Sequence, residues 1–209
     1  MTPRPRATSD ADLLTATLNT VSRLGPTRMT LADVAREAGV SPATLVQRFG
    51  SKRGLFLAVA ASSSDGLSEQ FARIRATHSS PLGALAAVAD SMAQMAASPD
   101  VLSNSLAFLQ IDLADPDFHG HALAHSRAMR AEIKSLLDKA IAIGELARCD
   151  TDRLARGVQV VLAGALLQWA IDRDGTAVER LREDLDTLIR PRHAFRERRR
   201  TQRTKVRRD

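Results

Sequence analysis

Between Met29 and Lys52 the chain reads MTLADVAREAGVSPATLVQRFGSK, and this stretch constrains the fold more than any other. It starts a helix, stops it, and starts another almost at once. Thr30 is followed three residues later by Asp33, a capping-box-like start. The threonine oxygen accepts an orphan backbone N–H, and the acid sits at the positive end of the helix. Leu31, Val34, Ala35 and Ala38 then recur on one helical face. Gly39 supplies the left-handed residue that ends a helix without a Cβ clash, and Val40 anchors the turn. Ser41-Pro42 restarts the helix, with serine as N-cap and proline at the first helical position, where its missing N–H costs nothing. Leu45 and Phe49 face inward before Gly50-Ser51-Lys52 breaks the chain again. Two short helices joined by a tight glycine turn can present the second helix to a DNA major groove about 12 Å wide.

The rest of the chain reads as helices too. A helix over 10–24 carries Leu13, Leu14, Thr17, Val21 and Leu24 on one side and is stopped by Gly25-Pro26. Another begins near Lys52 and runs through Leu55, Phe56 and Val59 past Phe71 and Ile74. Apolar periodicity then places helices near 82–97, 101–114, 117–143, 151–172 and 176–190, with breaks at Ser98-Pro99, Asp115-Pro116, Gly144 and Asp174-Gly175. Aromatics are only 3% of the 209 residues and tyrosine is absent, whereas an all-β fold draws on aromatic and β-branched residues. The expected fold is all-α, an N-terminal three-helix helix-turn-helix domain followed by a larger helical domain. The expected division is a flexible arm over 1–9, the helix-turn-helix domain over 10–54, a ligand-binding and dimerisation domain over 55–190, and a basic disordered tail over 191–209.

The helix-turn-helix, with the helix before it, resembles the tetracycline-repressor (TetR) family. Gly25, Thr30, Val34-Ala35, Ala38-Gly39-Val40-Ser41, Thr44-Leu45, Phe49, Ser51-Lys52 and Leu55-Phe56 carry the resemblance over about 45 residues. Beyond them it is one of architecture. The chain departs from the family pattern in two places. Val46 stands where the family usually has tyrosine, with Arg48 where histidine is usual, and Thr20-Val21 replaces a Leu-Phe pair. The resemblance implies a homodimeric repressor that leaves a palindromic operator when a small-molecule effector binds.

Position and chemistry select the DNA contacts. Thr44, Gln47 and Arg48 are candidates for base edges, since glutamine pairs with adenine and arginine with guanine, with a phosphate as the alternative partner of Arg48. Ser41, Thr30 and Lys52 are candidates for phosphates, with Pro42 and Ala43 in the first turn of the reading helix. These residues are equally the ordinary cap and surface residues of two short helices.

Farther along, Met92, Met95, Phe108, Met129 and Trp169 are candidate walls of an effector pocket, because methionine and aromatic side chains make adaptable apolar linings. Gln110, His121 and His125 are the polar candidates. The same spacing suits plain core, and the i, i+4 pair His121/His125 suits a metal only if further ligands join it. No metal site and no cofactor is assigned. For the dimer, Leu154, Val158, Val161, Leu162 and Ala165 on one helix and Val178, Leu181, Leu185 and Leu188 on the next are the candidate interface, with intramolecular packing as the alternative.

Charge is distributed unevenly, at +4 over residues 1–55, −6 over 56–189 and +8 over 190–209. A basic head and tail suit an anionic partner, double-stranded DNA, and the tail alone suggests a rival, a sequence-neutral nucleic-acid binder. An enzyme is not expected, since no nucleophile elbow, phosphate-cradling glycine loop or metalloprotease motif is present and no catalytic residue is assigned. The single cysteine, Cys149, excludes an internal disulfide, no signal-peptide pattern opens the chain, and the longest apolar run, Val160 to Leu167, is too short to span a bilayer. A cytoplasmic protein without a membrane partner is the expectation.

Overall fold

A computed structural model describes residues 8–192. The arm's first seven residues and nearly all of the basic tail therefore lie outside the described residues. The element order is α1 (Asp10–Leu24), α2 (Leu31–Ala38), α3 (Pro42–Phe49), α4 (Lys52–Thr77), α5 (Pro81–Met95), α6 (Pro99–Ala114), α7 (Pro116–Ala142), α8 (Thr151–Asp172) and α9 (Ala177–Ile189), closed by a short 3-10 turn at Arg190–Arg192. Among the described residues there is no strand, so the fold is all-α.

The helix ends follow from local chemistry. Ser9, Thr30 and Thr176 each form a full capping box, with Asp12, Asp33 and Glu179 answering back to the cap backbone. Ser41 and Ser80 cap helices whose first residue is proline. Gly39 adopts φ 67°, ψ 31°, the left-handed conformation that lets its N–H close on the carbonyls of Ala35 and Arg36. Gly54 answers a different need. A Cβ there would run into the Phe49 carbonyl oxygen, so the first turn of α4 closes on the end of α3 only with glycine.

Packing divides the chain into two compact units. The first comprises residues 8–66 with 100–125. The second comprises residues 67–99 with 126–192. This grouping differs from a cut near residue 54, because α6 and the start of α7 count with the N-terminal helices. Leu13, Val21, Met29, Val34, Leu45, Leu55, Phe56 and Phe118 form the core of the first unit, with Phe108 and Ile111 packed against it. Phe108 meets Phe56 and Phe118 edge-on, at ring-centroid distances of 5.3 Å and 6.3 Å. Asn104 donates to the Ser22 carbonyl (2.8 Å), and Arg53 grips Asp115 (2.9 Å) and Asp117 (2.7 Å). The Thr20-Val21 departure is accommodated inside this core: Thr20 is fully buried and its hydroxyl donates to the Ala16 carbonyl at 2.7 Å.

In the second unit α9 packs on α8 and on α5. Leu154, Val158, Leu162, Ala165, Leu181 and Leu185 are only 0–5% exposed there. Within one protomer these side chains are therefore covered by the chain's own packing, the alternative reading of the same apolar pattern. Val161, Val178 and Leu188 are partly buried. The large apolar residues that α8 leaves exposed are Val160, Leu167 and Ile171. By length and composition α8 is also apolar enough to cross a bilayer, although its longest uninterrupted apolar run, Val160 to Leu167, is not.

Candidate nucleic-acid interface

The reading head is built by α1 to α3 and the first turn of α4. Leu45 is fully buried and Phe49 half-buried, which pins one side of α3 to the core of the first unit. The rest of its surface carries Pro42, Ala43, Val46 and Gln47, all exposed, with Thr44 half-buried. Ser41 Oγ accepts the Thr44 backbone N–H at 3.2 Å and shares a hydrogen bond with the Thr44 hydroxyl at 3.0 Å. Thr30 accepts from the Asp33 N–H (3.2 Å) and donates to the Asp33 carboxylate (2.6 Å). The Thr30 hydroxyl and then the Thr30 backbone N–H (2.9 Å), both donating to it, hold the Asp33 carboxyl below the usual carboxylate range. The structure thus brings Ser41, Pro42, Ala43, Thr44 and Gln47 together at the start and outer face of one helix.

Two cations are placed in ways the sequence does not announce. Arg48 donates to the Thr8 carbonyl (2.7 Å) and to Asp10 Oδ1 (2.9 Å), at the start of α1. Lys52 donates to the Met29 carbonyl (2.6 Å) and the Thr27 carbonyl (3.3 Å), and lies 5.7 Å from the Phe56 ring centroid. Its ammonium ties the loop before α2 to the start of α4. Neither contact has a local sequence signal, since the partners are 38 and 23 residues away.

The candidate pocket residues fall in separate units. In the first, Phe108 belongs to the aromatic core described above, and Gln110 is exposed. His121 and His125 are half-buried, and the His125 Nδ1 atom is buried without a hydrogen-bond partner among the described residues. Burial pushes the Asp112 carboxyl above its usual range, with His125 opposing that shift. Among the described residues no three His, Cys, Asp or Glu side chains gather as a metal site would require. In the second unit Met92 and Met129 are half-buried and Met95 is 72% exposed. Trp169 is buried and its indole N–H donates to the Gly175 carbonyl at 3.2 Å, closing the turn from α8 to α9.

Known proteins share this arrangement. Residues 13–59 match the family described as bacterial regulatory proteins, tetR family. The chain is 27% identical over 173 residues to the HTH-type transcriptional regulator BetI 1 of Chromohalobacter salexigens, covering 82% of this chain and 83% of that protein. A TetR transcription regulator from Haloarcula marismortui superposes with a TM-score of 0.72 at 16% identity, over 88% of this chain and 97% of the other. The transcriptional regulator FadR from Bacillus subtilis, solved with stearoyl-CoA, superposes with a TM-score of 0.65 at 14% identity, over 87% and 98%. Such distant structural likeness speaks for the fold, while the match over residues 13–59 identifies the head as a tetR-family helix-turn-helix. Along most of its length the chain is similar to TetR-family DNA-binding transcriptional regulators.

Proposed function

We propose that the protein is a homodimeric repressor that reads a palindromic operator with α3 and leaves it when a small molecule binds. The observation that carries this reading is the outer face of α3. Thr44 and Gln47 stand on a helix whose other side is locked into the core, so they can meet base edges at low entropic cost. Thr30, Ser41 and the turn beginning with Pro42 and Ala43 lie at helix starts, where backbone N–H groups favour phosphate oxygens. Lys52 has donor capacity beyond its two carbonyl bonds for a further phosphate.

In this reading residues 10–54 bind DNA and residues 55–190 bind the effector and the second copy. A palindrome needs two heads related by a two-fold axis. The stripe of Val160, Leu167 and Ile171 on α8 supports a partner surface of the same chain. An effector is supported by the B. subtilis neighbour, which was solved with stearoyl-CoA. The protein acts by binding rather than turnover, in the cytoplasm.

The test is selection from random duplex DNA with purified protein, followed by sequencing of the retained pool. An enriched inverted repeat is expected. Binding without enrichment, fading uniformly as salt rises, would replace this reading with sequence-neutral binding driven by charge.

A further inference from the structure

Arg48 is the one arginine of α3, on the helix that carries Thr44 and Gln47, yet its guanidinium is engaged by the protein itself. It donates to the Thr8 carbonyl at 2.7 Å and to Asp10 Oδ1 at 2.9 Å, and is about a third exposed. Asp10 is the first residue of α1, and its side chain is 67% exposed. Thr8, Ser9, Asp10 and Arg48 line one open surface hollow. Asp10 is not the helix cap: Ser9 and Asp12 form the capping box, so the Asp10 carboxylate, in the first turn of α1, is open to the arginine.

We propose that Asp10 is an autoinhibitory latch on the reading head, a carboxylate that engages Arg48 Nη1 in the free protein and holds the guanidinium at the start of α1, away from a DNA phosphate. A carboxylate and a phosphate both attract the guanidinium, so the ion pair with Asp10 competes with a bidentate contact to phosphate. The pair is exposed enough to open, since such ion pairs contribute little once solvated. Asp10 thereby sets how strongly the head engages DNA without touching a base. This inference rests on the DNA-reading assignment above.

The test is a double-mutant cycle with full-length protein and the duplex enriched by selection, comparing wild type, Asp10→Asn, Arg48→Ala and the double variant. Asp10→Asn is expected to bind about two- to fivefold more tightly, and Asp10→Glu to restore wild-type affinity. In the Arg48→Ala background the same change is expected to have no effect, because no arginine remains to release. Simple repulsion between Asp10 and DNA would tighten binding in both backgrounds, and that result overturns the latch. Damage to α1 would weaken binding, the opposite sign, and a thermal melt of each variant identifies it. A selected duplex with no gain from Asp10→Asn defeats the latch alone. A pool from which no duplex is enriched defeats the repressor reading, and the latch with it.

Discussion

Gln47 stands on the exposed side of α3 while Leu45, two residues away, is fully buried, so a single short helix separates a reading surface from a core surface. Gln47→Ala is expected to cost about 1–3 kcal/mol on the selected duplex and almost nothing on unrelated duplex, as paired binding titrations would measure. A loss of equal size on both would make Gln47 a phosphate contact. Asp112 offers a separate test by pH. Its native pKa is raised by burial, so the folded state holds the proton more tightly than the unfolded chain does. Stability from this group therefore falls as pH rises from the ordinary aspartate value of about 3.9 through the raised native one. Asp112→Asn is expected to raise the melting temperature at pH 7, with the gain vanishing near pH 3. An equal gain at both pH values would mean that the carboxylate charge is not the cause.

At the scale of elements, α8 separates two kinds of apolar residue on one helix. Leu162 is 1% exposed and packs within the protomer, whereas Ile171 is 66% exposed. Leu162→Ala is expected to destabilise the fold by about 2–5 kcal/mol in a denaturant titration, as large-to-small changes in a core do. Ile171→Glu combined with Leu167→Glu is expected to leave the unfolding midpoint of the protomer nearly unchanged while shifting sedimentation from dimer to monomer. If these two substitutions leave the sedimentation unchanged, the second copy sits elsewhere. The caps of α1, α2 and α9 belong to this scale as well. Ser9, Thr30 and Thr176 each bond within three residues, which is why one short and two medium-length helices start where they do.

For the whole molecule, the informative feature is that α6 and the start of α7 count with the reading head. Arg53 holds Asp115 and Asp117 and stacks 5.5 Å from the centre of the Phe118 ring, fastening the first turn of α4 to the α6–α7 corner. Arg53→Met is expected to speed amide hydrogen exchange at residues 115–118 while α3 stays protected, as mass spectrometry of peptides would resolve. Unchanged exchange at the corner would assign its order to the buried aromatics instead. Residues 100–125 and the helix-turn-helix share one packed unit.

The local chemistry of the sequence determined where the helices are and which family the head belongs to. Thr30, Gly39, Ser41-Pro42 and the spacing of Val34, Ala35, Leu45 and Phe49 act over one or two turns, so their effect is readable without knowing the rest of the fold. The apolar stripe of α8 was equally legible, but its partner was not, because periodicity names a buried face and says nothing about what covers it. Tertiary structure decided that α9 packs against it within the protomer, that Phe108 meets Phe56 and Phe118 in the core of the head, and that Trp169 closes a turn. It also decided the fate of the cations. Arg48 and Lys52 are long, flexible side chains whose partners lie 38 and 23 residues away, and no pattern over neighbouring positions encodes an encounter that only the folded chain brings about.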